Sequence, residues 1–409
     1  MKKLTTIFLA AAAAFAVLPV FGQVKMKYQP DPVFGQDRIK KLHDAAPAKA
    51  AVAPAKPRKM LIFSRTSGFR HYGGIVAAKE VLKHMGEKLG VWETVISDDV
   101  NEFTPENLKK YDVVILNNPT AACFGPTNVE LDEMSKEEAK KAVQNSLQYC
   151  KNLIEYVKNG GGVVGLHSAP DCYNYDNIRC WEYTNLLGGD FVAHPWTLGG
   201  WTGVMSPKYM FSIDDENSPI TKGIWPSNGF MVYDEIYMMG KSYDRSKCRI
   251  LIRLDTDQSY FLRESNRLNP PKIRADKDIG VVWIKSEGNG RVAYFGFGHD
   301  WNNYANPRMQ EMLMRLVQFA CGDLKADTSS IPMGTKRPVG AICDAPTVEQ
   351  IEAMSTFDYG KGDKEINEVI FGVFSNNFDK KYCAEIEKFI YDQISQKKGT
   401  EYYRSMLAE

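Results

Sequence analysis

From Arg58 onward, short apolar runs alternate with longer stretches in which apolar residues recur every three or four positions. "KMLIFSR" (59–65) has the unbroken apolar run of a strand buried on both faces, and "GGIVAAKEVLKHMGEKLG" (73–90) has the period of an amphipathic helix. "WETVISDD" (92–99), "YDVVILNN" (111–118) and "GGVVGLHS" (161–168) repeat the strand pattern, and the charged stretch from Glu130 to Lys158 predicts a long helix before the last of them. Strands separated by helices run parallel, with the helices as crossovers. After Gly188 the pattern changes to strand-like runs with little helix between them: "MFSID" (210–214), "RILIRL" (249–254), "GVVWIKSE" (280–287) and "RVAYFGFG" (291–298). "GNGR" (288–291) joins the last two as a hairpin. A helix over 306–322 closes the unit, with Pro307 suited to its first turn and Gly322 to its stop. The expected class is α/β: a doubly wound, mainly parallel sheet with a β-rich extension.

The flanks read differently. Lys2 and Lys3, the apolar run Leu4 to Val17 and the small residues before Gln23 make residues 1–22 an export signal, which predicts a periplasmic protein in a cell with two membranes. The run is too short to favour a spanning helix, and no later segment approaches the roughly 20 apolar residues that a span needs. Residues 23–57, with "AAPAKAAVAPAKP" (45–57), lack apolar periodicity and read as an Ala/Pro/Lys linker, so the folded domain is placed at 58–325. Residues 326–409 read as a helical C-terminal extension, in which the pattern from about Thr347 gives three successive helices, like the start of a HEAT-type repeat. One such unit cannot bury both faces alone. It docks on the main domain, which is the expectation here, or on a second protomer or a protein partner.

Composition narrows the function. The 51 lysines and arginines nearly cancel 50 aspartates and glutamates across 409 residues, so no net field draws the chain to nucleic acid. A small, neutral substrate fits better. Eight cysteines without C-x-x-C spacing argue against a structural zinc cluster and for mostly buried thiols, with at most one bridge.

In doubly wound sheets ligands bind beyond the carboxyl ends of the parallel strands. Those ends carry Arg65, Arg70 and His71 after the first strand, Asn117 and Asn118 after the third, and His167, Ser168 and Asp171 after the fourth. "SGFRH", "GGGVVGLHSAPD" (160–171), "LLGGDFVAHP" (186–195), "YDEIY" (233–237) and "VVWIKSEGNGRVAYFGFGHDWNNYANP" (281–307), taken in this order, resemble the ThuA-like family, named for trehalose utilisation. The resemblance covers roughly residues 58–324. It implies a flavodoxin-like sheet of the class I glutamine-amidotransferase type and a carbohydrate substrate, a 3-keto-glycoside or related sugar. Amidotransferase-like folds set a cysteine on the tight turn after a central strand; here His167 occupies that turn, which disfavours covalent acyl transfer and favours proton transfer or metal ligation.

His71, His167, His194 and His299 all lie in these motifs, whereas His43 and His84 do not. The expected catalytic set is His167, His71, His299 and Glu235, with Arg70, Asn118, Asp171, His194, Tyr237, Asp300 and Trp301 binding substrate. Trp196, Trp201 and Trp301 offer flat faces to a sugar ring, or else belong to the core. Arginines at loop ends are more often paired with surface acids than with ligands. No cofactor is expected. If a divalent metal binds, its ligands are expected to be His71, His167, His194 and His299, although no diagnostic spacing such as H-E-x-x-H supports one. A non-catalytic sugar-binding or scaffold protein is the competing class.

Overall fold

The computed structural model describes residues 31–334, apart from 127–129, 131–132, 175–178, 196–207, 226–228 and 257–273, together with residues 342–343. The expected export signal, Trp196, Trp201 and the helices from Thr347 lie outside the described residues.

Five strands form the parallel part of the sheet: β1 (Lys59–Phe63), β2 (Glu93–Ile96), β3 (Val113–Asn117), β4 (Gly162–Leu166) and β11 (Gly290–Phe295). They lie in the order β2-β1-β3-β4-β11, the flavodoxin-like winding. Burial on both faces explains their near-continuous apolar sequence. Met60, Ile62, Val113, Ile115, Val164 and Leu166 face one layer, while Leu61, Phe63, Val114, Leu116 and Val163 face the other. The first layer is covered by α1 (Gln36–Asp44), α2 (Tyr72–Leu89) and α6 (Pro307–Ala320), and the second by α3 (Lys136–Lys158) and α4 (Trp181–Leu187). The first layer's cover is completed by α5 (Trp301–Tyr304), one turn that leads into α6.

The expected β-rich extension continues the same sheet. β10 (Gly280–Glu287) pairs antiparallel with β11 through the Gly288–Asn289 turn, and β9 (Arg249–Leu254), β6 (Lys208–Ile213) and β7 (Gly229–Tyr233) follow, each antiparallel to the last. Four reversals return β7 to the direction of the parallel strands. Its carboxyl end therefore opens on the same sheet edge as those of β1, β4 and β11. β12 (Ile342–Cys343) pairs parallel with β7, and β5 (Phe191–Ala193) and β8 (Met238–Met239) form a separate ribbon.

Local sequence chemistry sets the ends. Ser135 and Glu138 form a capping box, so α3 begins at Lys136 rather than at Glu130. Asn306 caps α6 with its side chain, and Gly322 takes a left-handed φ of 84° beyond the last turn. Cys123, Cys150, Cys172, Cys180, Cys248 and Cys321 are buried and unbridged.

The segment read as a linker is partly folded. Gln36–Asp44 is helical, Leu42 is fully buried in the core, and beyond the helix Ala51 and Val52 donate their N–H groups to Gln318 Oε1. Gln310 and Gln318 on α6 return bonds to the carbonyls of Leu42 and Val52. An Ala/Pro stretch has few side chains with which to show a period. It is held here through its backbone, by glutamines more than 260 residues away.

Gly74, in the first turn of α2, lies against the β11–α5 loop so closely that a Cβ there would stand 2.2 Å from the carbonyl oxygen of Gly298. Gly74→Ala should lower stability by about 1–3 kcal/mol through this overlap. A thermal melt matching wild type would show that the two loops separate without cost.

Candidate functional site

Four loops at one edge of the sheet bring His71, His167, His299 and Glu235 together. His167 follows β4 with a φ of 41°, a left-handed conformation that few residues other than glycine adopt. Its N–H donates to the Phe295 carbonyl, its own carbonyl accepts from Tyr294 Oη, and Nδ1 meets the Gly296 carbonyl at 3.3 Å. The turn is thus held by residues 294–296 at the end of β11, and the ring is directed at Glu235. His71 occupies the N-cap of α2, with Nδ1 3.3 Å from Ser168 Oγ. His299 follows β11. Glu235 follows β7, preceded by a fully buried Asp234.

Glu235 Oε2 lies 2.8 Å from His299 Nδ1, 3.3 Å from His167 Nε2 and 3.9 Å from His71 Nε2, and its Oε1 lies 3.5 Å from His194 Nε2. The side chain of His167 is inaccessible and that of His71 nearly so, whereas His299 and His194 retain 15% and 19% exposure and mark the mouth. Phe69, half exposed, lies nearly parallel to the His299 ring at 6.4 Å and edge-on to His71. Tyr237 and Phe191 close the side next to His194.

Burial pushes the imidazoles of His71, His167 and His194 down, His71 to about 3. Burial acts the same way on His299, but the charge and contact of Glu235, with Asp234 and Asp300 behind, outweigh it and raise His299 to about 9. Glu235 is pushed up by burial yet held well below the usual carboxylate range, chiefly by His299 and His194. The protein alone therefore holds one imidazolium–carboxylate pair among neutral rings.

The expected residues divide. His71, His167, His299, Glu235, His194 and Tyr237 converge. Arg70 does not serve the pocket: its guanidinium binds Asp31 at 2.6 Å and the Ser64 carbonyl, the pairing with an acid that arginines at loop ends favour. Trp301 is a core residue, covered by Phe34 at 5.7 Å and by the Arg38 guanidinium at 4.5 Å. Asp300 caps α5, accepting from the Asn302 backbone and side chain. Asn118 is buried and donates to Asn117, which in turn binds Ser64 Oγ and the Ile75 carbonyl. Asp171 is buried in the turn after Ser168. His194, expected among the metal ligands, stands outside the tightest cluster, and Glu235 takes its place.

The sequence pattern of the trehalose-utilisation family, ThuA, matches residues 59–320, the span that carries this pocket. The chain belongs to the ThuA family. Among solved structures it is similar to a putative ThuA-like protein from Bacteroides uniformis (22% identity, 66% of this chain and 92% of that one, TM-score 0.46). It is also similar to a putative ThuA-like protein from Parabacteroides merdae (18% identity, 68% and 98%, TM-score 0.42). No curated protein matches it. Among the described residues of this ThuA protein, no helix is long and apolar enough to cross a membrane.

Asp234, Phe69 and Phe191 had no role in the sequence reading, although each stands inside a quoted motif. Asp234 matters most. Its carboxylate accepts from the N–H groups of Glu235 (2.9 Å), Gly298 (2.6 Å) and Asp300 (3.2 Å), tying the loop of Glu235 to that of His299. Burial raises its pKa to about 8 against the pull of the N–H donors from Gly298 and Asp300. Asp234→Ala would strand buried donors and should lower stability by at least about 2 kcal/mol. Urea unfolding gives the measurement, and an unchanged midpoint would show that the loops hold without this brace.

Proposed function

We propose that this ThuA-family protein is an exported enzyme acting on a carbonyl-bearing sugar of the 3-keto-glycoside class, by moving a proton at the carbon beside the carbonyl. The observation that supports this reading is the convergence of His71, His167, His299 and Glu235 in one buried pocket, with His194 and Phe69 at its mouth. The floor receives the sugar's carbonyl oxygen beside the His299 imidazolium, which, where little water reaches, stabilises the negative charge that develops on it. Phe69 supplies the flat apolar face that Trp301 does not. The proton acceptor is His194. Its Nδ1 hydrogen-bonds the Ile236 carbonyl at 3.3 Å, and its side chain keeps 19% exposure where those of His71 and His167 keep almost none.

A ketone at C3 acidifies the C2 hydrogen. His194 takes that proton, the C–H electron pair forms an enediolate, and its collapse breaks the C1–O bond and expels the C1 substituent as an alcohol as the His194 imidazolium returns the proton to the leaving oxygen. Water added to the resulting double bond makes the net change a hydrolysis. Without expulsion, return of a proton gives an isomer. Neither route needs a redox cofactor.

Incubation of the protein with 3-keto-trehalose or a 3-keto-glucoside in deuterated water should show loss of the glycosidic bond or exchange at C2. His194→Gln should reduce kcat/KM by about 100-fold or more. If only affinity changes and wild type neither cleaves nor exchanges, the protein is a sugar-binding module instead. Phe69→Ala should raise KM several-fold and leave kcat near wild type, since stacking contributes about 0.5–1.5 kcal/mol. An unchanged KM would place the sugar elsewhere.

A further inference from the structure

We propose that His71, His167, His299 and Glu235 form a binding site for one divalent transition-metal ion of the zinc, iron or manganese type. Each residue offers one ligand atom, and these four atoms all lie within 4.8 Å of one another. A protein binds such ions through imidazole nitrogens and a carboxylate, a donor set that suits these metals better than calcium or magnesium.

The hydrogen bonds carry the argument further. His167 Nδ1 hydrogen-bonds the Gly296 carbonyl at 3.3 Å, whereas Nε2, 3.3 Å from Glu235 Oε2, has no hydrogen bond of acceptable geometry, so the tautomer protonated on Nδ1 turns the Nε2 lone pair toward the carboxylate. An acceptor thus faces an acceptor in a buried space. Neither His167 Nε2 nor His299 Nδ1 has a hydrogen bond of acceptable geometry. A cation placed among these four atoms would meet the carboxylate and all three ring nitrogens together. The arrangement behind the rings is also that of a metal site, in which the outer nitrogen of a ligating histidine is held by a carbonyl or hydroxyl. Gly296 O holds His167 in this way and Ser168 Oγ holds His71.

The inference deepens the reading of this pocket as the reactive site and rests on it for its purpose, since the ion would polarise the sugar carbonyl. Binding itself is measured apart from turnover. Full-length protein freed of metal with a chelator is titrated with Co(II), followed by visible absorption, and with Zn(II), followed by calorimetry. One ion per chain is expected, with affinity reduced about 100-fold or more in His167→Ala and in Glu235→Gln. Native circular dichroism of each variant controls for folding. Ser168→Ala, which leaves all four ligands in place, should weaken binding by about 10-fold. Absence of binding to folded wild-type protein overturns the site, as does binding undiminished in His167→Ala. Stoichiometric binding without turnover of any 3-keto sugar would sustain the site and defeat the functional reading. Full turnover by chelator-treated protein with no bound ion would do the reverse.

Discussion

Glu235 keeps a full negative charge where almost no water reaches it, and the loops at this edge of the sheet are arranged to answer that charge. Taking a carboxylate out of water costs several kcal/mol even after relaxation, so it persists only with close partners. The His299 imidazolium, 2.8 Å from Oε2, supplies the opposite charge, and three further imidazoles lie within 4 Å of the carboxylate. Asp234 does not add to that compensation. It neutralises nothing at Glu235 but fixes the backbone that carries it, by binding N–H groups on both loops. Adjacent carboxylates in one motif thus divide the work: one faces the pocket and the other holds it closed from behind.

The topology explains how Glu235 arrives there. A purely parallel sheet would bring only the loops after β1, β2, β3, β4 and β11 to this edge. The antiparallel extension adds β7 at a distance from them, and its four reversals restore the direction needed to deliver a side chain to the same crevice. The β-rich part is therefore not an appendage to the site. It contributes the charge around which the histidines of the parallel part are gathered.

Much of this was legible in the sequence, for reasons that differ from element to element. The parallel strands announce themselves because burial on both faces demands apolar runs, and the rule that ligands bind at strand ends singled out His71 and His167 without further help. Glu235 was readable as a residue but not as a neighbour, since its place depends on pairings between strands far apart in the chain. Arg70 and Trp301 were misread for a common reason. Both are covered by residues 31–38, a segment whose composition shows little periodicity and whose docking relies on Asp31, Phe34 and Arg38 meeting partners in distant loops. Asp234 escaped notice because its partners are backbone N–H groups, which leave no mark in a sequence.

The left-handed turn at His167 gives the fold its particular chemistry. In hydrolases built on similar sheets a strained turn after a central strand lifts a nucleophile into the open, ready for attack. Here the same turn is fastened to Phe295 and Tyr294 and its side chain is wholly buried, pressed beneath a carboxylate. A nucleophile in that position could not reach a substrate. Under the proposed function an imidazole need not reach one: it would hold a charge or an ion at a fixed point while the more exposed His194 meets the substrate. On that proposal, a histidine in place of a nucleophile and its burial in the floor belong together, since a site that polarises its substrate, unlike one that forms a bond to it, can keep this residue out of reach.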